Sequence, residues 1–377
     1  MIVIVLLGLF SIFLTMPGSP VKPRQGLKIA FALITVVTSI RYRYGNDYME
    51  YYYVFQSVVN GNNSFEDAYF AITEIFDPGW SVFCYIFKPF GFYWMVAFLS
   101  CFKAFAVYYF IKDNVPPRYY YVSILFYIFT TMLFPIQLSM MRQGFVIDVF
   151  ILCFGLIKRK KPLIPLLLLL LLTQLHKTSF ILIPFVFWYF IPRAALKYIS
   201  AGILVLFFVF LVSKEALVGV FNYFFDMEML EMYQKYETTV EDEFGIRNMI
   251  HIIPSIVTTI LLFKYKDVYT IERNKGIAKS NSQTDIMAFP PHLLLLPSFV
   301  ILFMPFNQIM PMLVRVGFFF NQFIIVAFPF MFRYMEKSFR TALVALLLVV
   351  MLYENYIFYY GDIYSKYFLV YHTLFEK

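Results

Sequence analysis

Charge is scarce in this sequence. Asp, Glu, Lys and Arg make up 14% of 377 residues, where a soluble globular domain carries about 25%. Too few charged groups remain to clothe the water-facing surface of so long a chain. Cysteine is scarcer still: Cys84, Cys101 and Cys153 stand singly in apolar surroundings, with no CxxC pair. That excludes a disulfide framework and a cysteine zinc site. No HExxH and no glycine-rich phosphate loop occurs, so zinc-hydrolase and soluble-type nucleotide chemistry are not indicated. Strand-period alternation is missing from the apolar segments, which excludes a membrane barrel. The formal charge of +8 would point to nucleic acid if the basic residues gathered on one soluble face. They are dispersed in short loops, so no nucleic-acid partner is expected.

What is present is apolar. The hydrophobic share is 61% and the mean hydropathy +0.72. Apolar runs lie near 1–16, 27–40, 91–111, 119–136, 144–158, 162–175, 178–191, 197–213, 248–263, 288–305, 316–332 and 341–354. The expected fold class is therefore all-α, a polytopic transmembrane helical bundle of about 11–13 spans. Residues 1–377 form a single transmembrane domain in this reading. Several runs fall short of the roughly 20 residues of a full crossing, so tilt or local thinning must make up the difference. The first sixteen residues lack a basic leader and a small-residue cleavage site, and read as a retained span.

Loop charge sets the orientation. PGSPVKPRQGLK, KDNVPPR, the KRKK of 158–161, the polar stretch 264–287 and RYMEKSFR alternate onto one side. By the positive-inside rule that side is cytoplasmic. The opposite side receives an outer loop with interfacial helices over 41–90 and an acidic loop over 214–247. The expected location is a cytoplasmic membrane, with functional groups facing outward.

Inner-face cations are explained by topology; basic residues at the outer ends of spans are not. These are Arg41, Arg43, Arg142, Lys177, Arg247 and Arg315. Arginine grips phosphate through a bidentate fork, although snorkelling or a carboxylate partner also accounts for such a residue. SMMRQGF opens one run and LHKTSF closes the next, with a hairpin through KRKK between them. Arms of about 15 residues span roughly 22 Å and pack as antiparallel neighbours. Arg142 and His176 should therefore meet at the outer end of that hairpin. In RYRYGNDYMEYYYVF, residues 41–55, a helix would pair Arg43 with Asp47 at i,i+4. It would also align Tyr44, Tyr48, Tyr51 and Tyr52 as an aromatic face suited to sugars. The alternative for the tyrosines is an aromatic belt at the membrane interface. Asp148 and Lys103 are the clearest intramembrane charges. Asp148 stands below Arg142 and is expected to pair with it or orient it. So few midplane charges argue against an ion-coupled transporter.

These motifs carry a family resemblance. RYRYGNDYMEYY resembles the "R…G-x-D-Y…Y" signature of the EpsG-like membrane proteins. FDPGWSVFCYIFK is similar to that family's E/D-P-x-W/F segment, and the run from SMMRQGF to LHKTSF resembles its R-Q, basic turn and F-H-x-S arrangement. RVGFFFNQFIIVAFP over 315–329 is a weaker match. The chain departs from the pattern at Asn46, where Thr is usual, and at Lys177 and Thr178. The resemblance implies a role like that of Wzy-type polysaccharide polymerases of the GT-C-like class. It implies undecaprenyl-diphosphate-linked oligosaccharide as substrate, inverting transfer at the outer face, no metal and no cofactor. Membrane lipids and a chain-length regulator protein are the other implied partners. The site set expected on this basis has Arg142, His176 and Asp47 as catalytic groups. Arg41, Arg43, Arg142, Arg247, Arg315 and Lys177 would bind diphosphate, and Tyr44, Tyr48, Tyr51, Trp80 and Gln143 the glycan. Asp47 and His176 both remain candidates for the general base. A lipid-linked glycan flippase, an O-antigen-ligase-like transferase and an outer-face acyltransferase are the alternatives.

Overall fold

The computed structural model describes residues 1–61, 77–213, 249–264, 290–308, 311–362 and 364–376. The acidic stretch 214–247 with Arg247, and all but the first residue of 264–287, lie outside the described residues. The fold is all-α and polytopic, and each apolar run of the sequence contains a helix. Phe92–Asn114, Arg193–Val212 and Ser338–Tyr360 are long and apolar enough to cross a membrane; Arg315–Asn321 with Ile324–Phe332, bent by 48°, makes a fourth if it is one span. Ile2–Thr15, Leu163–Leu172, Lys177–Phe190, Met249–Lys264 and Pro291–Phe303 are apolar but shorter. The chain divides into two compact units, Met1–Phe190 with Asn355–Lys377, and Ile191–Glu354.

In the first unit, α1 (Ile2–Thr15) and α2 (Pro23–Ser39) form a hairpin. A short strand β1 (Arg41–Tyr42) follows, then α3 (Tyr48–Gly61), α4 (Pro78–Ile86) and α5 (Phe92–Asn114). α6 (Tyr120–Phe129) packs on α1, and α7 (Pro135–Ser139) leads into α8 (Met141–Lys158). α8 packs on α5 and turns back through Lys160, at φ 57°, into α9 (Leu163–Leu172). α9 buries only Pro165, Leu169 and Leu172. That narrow stripe lies against α8, and the other leucines face outward, as a lipid-facing helix requires. Two 3-10 segments, Lys177–Leu182 and Pro184–Phe190, complete the run, with Pro184 unable to continue a hydrogen-bond ladder.

Lys158 Nζ donates to Asn114 Oδ1 at 2.7 Å, so α5 and α8 end together at the basic turn. Their N-termini, Phe92 and Met141, therefore lie at the opposite end. The 18 residues of α8 separate the two ends by about 27 Å at 1.5 Å per residue.

The second unit holds α10 (Arg193–Val212), α11 (Met249–Lys264), α12 (Pro291–Leu295) and α13 (Phe299–Phe303). After these come α14 (Pro311–Asn321), α15 (Ile324–Tyr334) and most of α16 (Lys337–Tyr360). Ser200 and Thr259 share a 2.6 Å hydrogen bond between α10 and α11, and Thr258 donates to the Leu294 carbonyl at 3.2 Å. In the first unit α17 (Ser365–Phe368) precedes β2 (His372–Thr373), which pairs antiparallel with β1.

Candidate functional site: a cation cluster on one carboxylate

Asp77 precedes α4, whose first residue is Pro78. Proline suits that position, since its fixed φ is helical and its missing N–H would have had no helical partner. Gly79 then donates its N–H to the Gln174 carbonyl at 2.9 Å. A Cβ at Gly79 would lie 2.8 Å from that carbonyl group, so only glycine allows the approach. This docking brings Asp77 to the residues that follow α9.

Two cationic side chains and an imidazole converge there. Arg142 Nη1 lies 3.4 Å from Asp77 Oδ2, His176 Nδ1 3.9 Å from the same oxygen, and Lys177 Nζ 3.8 Å from Oδ1. The Lys177 backbone N–H also donates to Oδ2, at 3.2 Å. The side chains of Asp77, Arg142 and His176 are 12%, 18% and 20% exposed, while that of Lys177 is 79% exposed. The first three are thus shielded enough to interact strongly and open enough to meet a ligand. Lys177 also lines an open cavity of about 280 Å³, together with Pro78, Thr173, Gln174 and Phe180. Arg142 and His176 meet as the hairpin reading expects, through a carboxylate that reading did not include.

The floor of the site is aromatic. The Arg142 guanidinium lies 6.0 Å from the Tyr51 ring centroid. Tyr51 meets Trp80 edge-on at 5.2 Å, and Trp80 stacks on Phe83 at 5.3 Å. Burial holds the Tyr51 phenol above its ordinary value, against the pull of Arg142, so it stays a neutral hydroxyl. The Cys84 thiol beneath is pushed up to about 12 by burial and is inert.

Several expectations need correcting. Residues 41–47 are not helical: Arg43 has φ 50° and Gly45 φ 121°, and α3 starts only at Tyr48. Arg43 and Asp47 therefore lose the helical i,i+4 relation, and Arg43 instead lies over the Tyr42 ring at 5.1 Å. Ser139 holds this turn, donating to Asn46 Oδ1 at 2.8 Å and accepting from the Asp47 N–H at 3.0 Å. Tyr44, Tyr48, Tyr51, Trp80 and Gln143 are all buried. They spend their faces on protein, so the open aromatic platform expected for sugars is a packed floor. Arg41 is buried as well. It donates to the carbonyls of Thr38 at 2.6 Å and Leu138 at 3.3 Å, and to Ser100 Oγ. Its fork is occupied in joining α2 to α5 and α7.

Asp148 pairs with Lys103 at 3.7 Å rather than with Arg142, and Lys103 also donates to Gln137 Oε1 at 2.9 Å. Arg41, Lys103, Gln137 and Asp148 line a separate small cavity of about 20 Å³, room for about one water. A Cβ at Gly144 would lie 3.1 Å from the Gln137 carbonyl oxygen, so glycine eases the close approach of α7 to α8 there. Arg315 is an exposed residue of α14, in the second unit.

Asp77 is the member of this cluster that sequence reasoning missed. Its signal was an acidic residue directly before a Pro-Gly helix start, within a motif already singled out. The model of the EpsG family matches residues 27–373. No curated protein and no solved structure matches. With the match spanning nearly the whole helical chain, this protein belongs to the EpsG family, a family of Wzy-like polysaccharide polymerases of the membrane.

Proposed function

We propose that this chain joins undecaprenyl-diphosphate-linked oligosaccharide units into a surface polysaccharide. The transfer is inverting, independent of metal, and takes place at the outer face of the bacterial cytoplasmic membrane. The observation that carries the reading is the meeting of Arg142, His176 and Lys177 on one carboxylate, at the end of α8 remote from the basic turn. The basic composition of that turn favours the cytoplasmic side by the positive-inside rule, and this supports an outer position for the cluster. The outer assignment of 41–90 and 214–247 and the inner one of 264–287 follow the same rule.

In the transfer, the bond between the sugar anomeric carbon and the diphosphate oxygen breaks, and its electron pair leaves with the diphosphate. A new bond forms from that carbon to an acceptor hydroxyl oxygen, whose proton passes to a base. Fixed cations at the leaving group stabilise the charge that develops there. Arg142 is the principal one, with His176 and Lys177 beside it. Asp47 is the base in this assignment. It immediately precedes α3, where its carbonyl accepts from the Tyr51 N–H at 3.0 Å, and both Asp47 and Arg142 act electrostatically on the Tyr51 phenol.

Removing one such stabilising group costs about 10²–10³ in rate. Arg142→Ala or His176→Ala should therefore abolish long-chain polymer on a gel of the surface glycan, with membrane insertion unchanged. Wild-type polymer length in both variants would refute the assignment.

A further inference from the structure

A general base works only when it is aimed. It must come within about 2.6–3.2 Å of the proton it takes. Rotation of an aspartate carboxylate about χ2 is broad rather than confined to staggered wells, so the surroundings of Asp47 have to set its direction. α7 supplies a rigid support beside it. All five residues of α7 are buried. Its last three each tie it to another segment. Gln137 Oε1 accepts from Lys103 Nζ at 2.9 Å, the Leu138 carbonyl accepts from Arg41 Nη2 at 3.3 Å, and Ser139 Oγ holds the turn before α3. A hydroxyl at the end of so constrained an element is itself held in place.

The hydrogen bonds form a directed chain. The Asp47 N–H donates to Ser139 Oγ at 3.0 Å, and the hydroxyl gives its single proton to Asn46 Oδ1 at 2.8 Å. That turns the other side of the amide toward the carboxylate, and Asn46 Nδ2 donates to Asp47 Oδ1 at 2.7 Å. An ionised carboxylate only accepts, so this is the amide orientation it requires. Ser139 thus holds Asp47 twice, at the backbone directly and at the side chain through Asn46. Ser139 has no exposed surface, whereas Asn46 and Asp47 are half-buried. The support is closed off from solvent, and the residue it steers is not. Gly45 permits the approach: its φ is 121°, and a Cβ there would lie 2.9 Å from both Cβ and Oγ of Ser139.

We infer that Ser139 is a positioning residue for the transfer: acting through the Asn46 amide, it sets the direction in which the Asp47 carboxylate meets the acceptor hydroxyl. The inference rests on the reading of Asp47 as the base.

The test is the kinetics of chain extension by the purified full chain in non-ionic detergent. The substrate is lipid-diphosphate-linked repeat units extracted from cells that lack this chain. Ser139→Ala removes both bonds of the hydroxyl. It should lower kcat about tenfold or more, since a displacement near 1 Å can cost about 10²-fold. KM should stay within about twofold, because the groups that grip the diphosphate are untouched. Asn46→Ala, at a half-buried position, should show the same split. The decisive comparison is made in Asp47→Asn, which has no base left to aim. Adding Ser139→Ala there should lower the residual rate by less than about twofold, whereas a merely structural role repeats the full loss seen in the wild type. An unchanged kcat in both single variants, a rise in KM alone, or additive losses overturn the inference. If neither single variant keeps the wild-type elution profile, Ser139 is a structural anchor, which overturns it too. Asp47→Asn separates the two readings. If it extends chains at the wild-type rate, Asp47 is not the base and the inference falls with that reading. If it is slow while Ser139→Ala keeps the wild-type kcat, only the role of Ser139 falls.

Discussion

Arginines with similar sequence settings do different work in this fold, and burial and partners decide which. Arg41 is 2% exposed and engaged with Thr38, Ser100 and Leu138; Arg142 is partly open and faces a shared carboxylate. Arg41→Ala should therefore destabilise the protein by about 3 kcal/mol or more, because buried acceptors lose a charged donor. Denaturant unfolding in detergent would measure this, and pyrophosphate binding of the folded fraction should stay at the wild-type level. Lys103 and Asp148 form the other buried pair. Removing one partner leaves a buried charge and costs about 3–5 kcal/mol, whereas replacing both by apolar groups is often nearly neutral. Lys103→Met alone should thus lower the unfolding midpoint sharply, and Lys103→Met with Asp148→Leu should recover most of it. Equal losses in the single and double variants would show that the pair contributes no coupling.

At the scale of elements, the site depends on how α4 docks beside the α8–α9 hairpin. Gly79→Ala forces a methyl group against the Gln174 carbonyl, and overpacking of this kind costs about 1–3 kcal/mol. The variant should melt at lower temperature and also lose polymer, because Asp77 and its cation partners move apart. Full polymer together with a lowered melting temperature would separate the docking from the function. The hairpin itself was legible in the sequence. Its two arms and the KRKK turn are local in the chain, and local connectivity fixes which ends meet. Asp77 was not legible in the same way. It lies 65 residues from Arg142 and 100 from Lys177, and no periodicity encodes a contact of that range. The tyrosines of 41–55 failed for another reason. Pattern shows that a residue is amphipathic but not whether its face meets ligand or protein. The turn that ends the expected helix is set by positive φ at Arg43 and Gly45 and by pairing of β1 with a strand more than 300 residues away.

Over the whole molecule, composition was the most informative signal. Scarce charge and long apolar runs gave a helical membrane protein, because a bilayer leaves backbone polar groups only helices or closed barrels. The ordered motifs gave the family. Arg142, His176 and Lys177 lie together in the first unit, Arg41 and Arg43 have other partners there, and Arg315 belongs to the second. Of the cations proposed to bind diphosphate, Arg142, His176 and Lys177 are the ones that the first unit gathers on one carboxylate. The most direct measurement is chain extension by the purified protein in detergent, given only lipid-diphosphate-linked repeat units, comparing the wild type with Arg142→Ala. The wild type should build a ladder of longer chains, and Arg142→Ala should extend them about 10²–10³ times more slowly. A wild type that leaves single repeat units unjoined, or an Arg142→Ala variant that extends them at the wild-type rate, would contradict the proposed reaction or the place assigned to it.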